Sequence, residues 1–345
     1  MFRDVFAPKP GETVLFLTDV PHGTMDDSNG WAARRKMAQD WYECFKKMGA
    51  DEGFSVEMLE YLATGRPNAP IPQEIIEVAR KSSLVIAMTE YSASSSLKPI
   101  CDAANTVTRC ASMPGVERRM ERTALRADCT ELQACAAAIE TMLNAAVGAE
   151  IVFSTQDSLY VDLRYRVAGS DRGNCSTPGQ FINLPSGEGF KVPYEAVPEE
   201  VTGLGESKTE GILPCSCNGE LAKYVVRNNN VVDVIGSGKE AEEMRIFFGQ
   251  NDTRRNIAEL GIGCNPDAVI SGNIIEDEKV GLHIAYGTSL HIGGKVESDV
   301  HQDIIYAKGS PIEGVTLTLI GEHGAKTELI DNAVLRRYLL SSTDA

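Results

Sequence analysis

Histidine is scarce in this chain, with five among 345 residues. Positive charge is outnumbered as well, 33 Lys and Arg against 49 Asp and Glu. The formal net charge is −16, which argues against a nucleic-acid partner, because phosphate-backbone binding needs grouped Lys and Arg. The opening residues, MFRDVFAPKPGE, contain no apolar h-region, so no secretory signal is expected. The longest apolar-leaning stretch, residues 135–153, is interrupted by Glu140 and Glu150 and does not read as a membrane span. No Cys-x-x-Cys pair occurs. Nine cysteines without an export signal read as reduced thiols in a cytoplasm, and Cys215 and Cys217 have no second pair at zinc-ribbon spacing. No Gly-x-Gly-x-x-Gly follows the first apolar run, where residues 17–21 read LTDVP, so a dinucleotide site is not expected. Gly236-Ser237-Gly238-Lys239 fails as a phosphate loop, since Asp233 takes the place of the first glycine and Glu240 follows the lysine. A Gly-x-Ser-x-Gly elbow is also absent, which leaves a serine hydrolase without its nucleophile.

What is present is an ordinary globular composition, 43% hydrophobic and 24% charged, in a chain long enough for two cores. Residues 1–150 alternate between short apolar runs and helical patterns. Strands are expected at 13–18, 54–61, 83–89 and 107–111, and helices at 31–48, 73–81, 97–105 and 130–146. Asp27 or Ser28 would cap the first helix, with Trp31, Met37, Trp41, Cys44 and Phe45 close to one face. Such alternation implies an α/β domain with a mostly parallel, Rossmann-like sheet that lacks the dinucleotide motif. From residue 151 the texture changes to short β-like runs split by Gly and Pro: 151–154, 159–167, 180–184, 210–215, 221–226 and 230–235, with one helix at 240–248. Residues 151–345 therefore read as a second, α+β domain, mainly antiparallel.

Three of the five histidines, His283, His291 and His301, fall within residues 281–306. His301 and Asp303 stand two apart in the apolar run 300–306. On a strand they share a face while Gln302 turns away, and imidazole with carboxylate suits a divalent transition metal. The plainer alternative is a surface histidine beside a solvated aspartate. Glu188, between Gly187 and Gly189, sits on backbone able to approach a ligand closely, although by itself the motif reads as a surface turn. Glu259 is a lone acid in AELGIG, and a buried carboxylate there needs a partner, a cation or a raised pKa.

Taken in order, NLPSGEGFKVP, AELGIG, DEKVGLHIAYG and HQD resemble the aminopeptidase T family of metallopeptidases, which includes aminopeptidase S, over roughly residues 180–306. The resemblance implies a homodimer with two divalent metal ions, zinc or cobalt and otherwise manganese or iron. The implied ligands are Glu188, Glu259, His283, His301 and Asp303. Glu188 would also serve catalysis, beside the attacking water. Three carboxylates and a bridging hydroxide would match the charge of two dications. Between His283 and His301 the chain is shorter than the peptidase pattern, and Leu290 stands where the peptidases carry a tyrosine. Tyr286 and His291 are the nearby candidates for binding substrate. The chain also resembles pyridine-ring-cleaving dihydroxypyridine dioxygenases of the same fold. Those hold a single iron, with His at the position of Glu259 and apolar residues at those of Glu188 and His283. The expectation is a cytoplasmic metallohydrolase, an aminopeptidase acting on small peptides or amides, without membrane or nucleic-acid partners. The alternative is a mononuclear non-haem iron ring-cleaving dioxygenase using His283, His301 and Asp303 as a facial triad.

Overall fold

The computed structural model describes residues 2–339. It is a mixed α/β protein with one parallel and two antiparallel sheets. The chain forms two compact units that interleave in sequence. The first unit holds the residues up to Gln133 together with Asp171–Ser186 and Pro266–Val269; the second holds Ala134–Ser170, Gly187–Asn265 and the chain from Ile270 onward. A single cut near residue 150 therefore does not describe the division.

In the first unit five strands lie parallel in the order Ser55–Leu62, Thr13–Val20, Leu84–Ala87, Arg109–Ser112, Phe181–Asn183. Thr13–Val20 and Leu84–Ala87 are buried almost throughout, as expected of strands covered on both faces, and this is why they read as continuous apolar runs. The helix Asn29–Glu52 starts at Ser28, whose Oγ accepts the Trp31 backbone N–H at 3.1 Å. Trp31, Met37, Trp41 and Phe45 are buried, whereas Cys44 is exposed. Cys44 lies at the margin of the stripe, whose centre is set by Arg34, Ala38, Trp41 and Phe45. The strand Phe181–Asn183, expected within the mainly antiparallel second domain, belongs instead to the parallel sheet. It pairs parallel to Cys110, Ala111 and Ser112, and three residues are too few to carry an alternation that names a partner.

The second unit contains an eight-stranded sheet in the order Asn230–Ile235, Glu220–Arg227, Glu210–Cys217, Ser158–Asp162, Ala146–Phe153, Gly314–Gly321, Lys326–Asp331, Val334–Leu335. Its paired strands are antiparallel. The strand expected at 159–167 stops at Asp162, because the Asp162 carboxylate takes the Arg164 guanidinium and the Lys208 backbone N–H and turns the chain. The other sheet runs His301–Ile305, Leu282–Gly287, Ile257–Gly263, Glu188–Lys191, Gly169–Asp171. Ile139, Leu143, Phe153, Leu260, Ile284, Tyr306 and Leu317 belong to one hydrophobic core in this unit. Among the described residues no helix is long and apolar enough to cross a membrane.

Candidate metal centre

Register builds the site. Across the antiparallel ladders Gly263 faces Glu188, Gly261 faces His283, Ala285 faces both Glu259 and Asp303, and Gly287 faces His301. Paired residues share a face, and residues two apart along a strand share it too. Glu188, Glu259, His283, His301 and Asp303 therefore all rise from one face of the sheet. Gly263, Gly261, Ala285 and Gly287 stand opposite them, and His283 also pairs with Ile305 on its other side.

The smallness is needed. A Cβ on Gly261 would lie 1.9 Å from His283 Nε2, and one on Gly263 would lie 2.3 Å from the backbone carbon of Lys279. AELGIG thus reads as a strand whose glycines admit, on one face, a histidine ring at Gly261 and a lysine-bearing loop at Gly263. We expect Gly261→Ala to displace the His283 ring and to weaken divalent-ion binding on the order of 10–100-fold, the usual scale for disturbing a ligand's orientation. Titration of the folded variant with Mn²⁺ checks this, and unchanged affinity would contradict it.

His283 Nδ1 lies 3.2 Å from the Gly281 carbonyl and His301 Nδ1 lies 2.8 Å from that of Thr288. With Nδ1–H donating to those carbonyls, each ring presents Nε2 to the carboxylates. His283 Nε2 lies 3.5 Å from Glu188 and 3.6 Å from Glu259; His301 Nε2 lies 3.3 Å from Glu259 and 3.8 Å from Asp303. Two ligand triangles close, Glu188–Glu259–His283 and Glu259–His301–Asp303, with Glu259 in both. The expected facial triad of His283, His301 and Asp303 is not one of them, because Glu259 stands between the two imidazoles.

The electrostatics show how anionic the cluster is. Burial alone would lower both imidazoles, yet Glu259 and Glu188 raise His283 to about 10, and Asp303 and Glu259 raise His301 to about 9. Burial pushes the Glu188 carboxyl up to about 8 against the pull of Lys279, and Asp303 up to about 6 against that of His301. At Glu259 burial acts upward too, but the two histidines win and hold it well below the usual carboxylate range. A dication would take the place of the protons these imidazoles otherwise gather. The donor set, imidazole nitrogen with carboxylate oxygen, fits a divalent transition metal.

The remaining expected residues part ways. Tyr286 is three positions from His283, hence on the opposite face of its strand. Its ring packs against Phe248 at 5.3 Å, Phe247 at 6.1 Å and Tyr224 at 6.3 Å, which makes it a core residue and removes it from substrate binding. His291 lies in the turn Leu290–Ile292, its ring perpendicular to that of His301 with centroids 4.6 Å apart. Two residues gained no role from sequence. Lys279 is fully buried, with Nζ 2.5 Å from Glu188 Oε1 and 2.8 Å from Glu278 Oε1. Glu195, also buried, accepts hydrogen bonds from the backbone N–H groups of Lys295 and Val296, from Ser289 Oγ and from Arg166, and so pins the loop that carries His291.

This is the fold of a known dioxygenase. The chain is similar to the 2,5-dihydroxypyridine dioxygenase of Pseudomonas putida KT2440, with a TM-score of 0.68 over 95% of this chain and 92% of that one, at 16% identity. No family model matches the chain, and no curated protein matches it. The resemblance to the aminopeptidase T family, with its hydrolase activity and peptide substrate, is corrected by this finding. The four motifs that carried it encode ligand spacing and glycine clearances on a sheet face. Those features set where a metal would go and leave the reaction open. Of the two Glu188 oxygens, Oε1 is held by Lys279.

Proposed function

We propose that the chain is a metal-dependent enzyme that opens a hydroxylated, electron-rich aromatic ring with dioxygen, using a single iron(II). The observation that carries this reading is the Glu259–His301–Asp303 triangle on a fold shared almost end to end with a ring-cleaving dioxygenase. The position of the buried Lys279 ammonium supports one ion: it already pairs with Glu188 and Glu278, and the Glu259–His301–Asp303 triangle is the one without a lysine. Iron(II) bound there would relay electrons from the ring to ground-state dioxygen, the ring being oxidised as both oxygen atoms enter the opened product.

The chain's own residues prepare the place. Glu259, His301 and Asp303 would hold the ion from one side of the sheet face, leaving its other side for substrate. The set has one imidazole and two carboxylates in place of the two imidazoles and one carboxylate of many iron oxygenases, and the extra negative charge favours the more oxidised metal. Ala285 and Gly287, opposite Asp303 and His301, keep the face open to a flat ring. His291, perpendicular to His301 and pinned through Glu195, offers a polar nitrogen to a ring hydroxyl. Homodimeric assembly remains a proposal, and a monomeric mass by light scattering would remove it.

The test is anaerobic loading with ferrous iron, followed by oxygen-electrode measurements on a panel of dihydroxypyridines and catechols. Oxygen uptake with loss of the ring absorbance is expected for iron-loaded protein and not for the zinc-loaded control. No uptake with any ring would overturn the reading.

A further inference from the structure

We propose that the Lys279 ammonium is the resident cation of the Glu188 half of the centre, so that the protein takes one divalent ion although its donors outline two triangles. The inference rests on the metal-site part of the proposed function and is independent of the oxygenase chemistry.

The two triangles share Glu259 but differ in what else is near. Glu259–His301–Asp303 contains no fixed positive charge. In Glu188–Glu259–His283, the Glu188 carboxylate already carries Lys279 on Oε1, and the same ammonium reaches Glu278. A dication taken by Glu188 Oε2 would share one carboxylate with that ammonium in a buried, water-poor place, where repulsion between like charges is strong.

A surface lysine would swing away from an incoming ion. This one is enclosed. Its side chain has 0% exposure. The Lys279 backbone N–H donates to the Glu276 carbonyl at 3.0 Å, and its own carbonyl accepts the Asn265 N–H at 3.0 Å. Asp277, two residues earlier, takes the backbone N–H groups of Ser271 and Gly272 at 2.7 and 2.9 Å and so fixes the preceding turn. Gly263, lacking a Cβ, lets this loop lie directly on the strand that carries Glu259. Withdrawing the ammonium from Glu188 would leave that buried carboxylate without its cation. The loop thus holds a positive charge in place as a permanent part of the fold. Glu188 Oε2, buried without a hydrogen-bond partner, is the oxygen a second ion would take if that charge were gone.

The experiment is equilibrium dialysis against Mn²⁺ with elemental analysis of the whole chain, the Lys279→Met variant and the Lys279→Met/Glu188→Gln double variant. One, two and one ions per chain are expected, with the second ion in wild type at least about a hundredfold weaker than the first. Two ions of similar affinity in wild type would overturn the proposal. So would a folded Lys279→Met protein that still takes one. Should that variant not fold, electron paramagnetic resonance of Mn²⁺-loaded wild type decides alone. The resolved hyperfine pattern of an isolated ion supports the proposal, and an exchange-coupled pair sinks it. Failure here is separable from failure of the enzyme reading. One ion with no ring cleaved removes only the oxygenase, and two ions with oxygen uptake intact remove only the role of Lys279.

Discussion

Glu259→Ala is expected to empty the centre. Loss of an outer hydrogen bond to a metal ligand costs about 10–100-fold in affinity, and loss of a ligand itself should exceed that. Glu259 is also the one carboxylate common to both triangles and the one placed between the two imidazoles, with oxygens 3.6 Å from His283 Nε2 and 3.3 Å from His301 Nε2. Without it neither triangle closes. Glu259→Gln keeps the shape and removes the charge, so the pair of variants separates packing from electrostatics. Both should lose metal on dialysis, and the glutamine form should melt close to the metal-free wild type. Full occupancy in the alanine variant, measured by elemental analysis, would refute the assignment.

A comparable effect on stability is expected from Arg109→Met. Arg109 is fully buried in the first unit, and its guanidinium donates to Glu12 at 2.8 and 3.0 Å and to the carbonyls of Cys175, Phe6 and Ser83 at 2.8, 3.0 and 3.1 Å. Methionine fills similar volume but removes the side-chain donor of the Cys175 and Phe6 carbonyls and the cation paired with Glu12. Breaking one side of such a buried pair costs about 3–5 kcal/mol. Urea denaturation would show the loss, and a change under about 1 kcal/mol would mean that water replaces the guanidinium. The same contact gives a pH dependence. Burial raises Glu12, but hydrogen bonds from Arg109 and from the Lys9 backbone outweigh it and leave its pKa lowered. A carboxyl lowered on folding contributes stability above its unfolded value, and that contribution disappears as the pH falls below about 4.5 through the folded one.

Much of the site was legible because strand alternation is a strict rule. His301 and Asp303 differ by two and Gln302 falls between them, so their common face follows from the strand alone. The same parity, applied to His283 and Tyr286, would have put Tyr286 on the far face, and its proposed role in binding was avoidable. Lys279 was not legible. Lysine in sequence reads as surface, and its burial depends on a backbone approach that only Gly263 permits. The place of Glu259 beside both imidazoles was hidden for a related reason, because which donors converge depends on how far each side chain reaches across neighbouring strands. The reaction was the least legible of all, since a sheet face with these ligands suits more than one chemistry.

The late strand Phe181–Asn183 has a consequence for biosynthesis. When the ribosome has delivered 150 residues, the Arg109–Ser112 strand is a bare edge. Cys110 N–H has no Gln180 carbonyl to meet, and the Arg109 guanidinium still waits for that of Cys175. An open parallel edge invites pairing with another nascent chain. The first unit is thus committed early in translation and completed only after residue 183 emerges, once the strands Ala146–Phe153 and Ser158–Asp162 of the other unit have already been made.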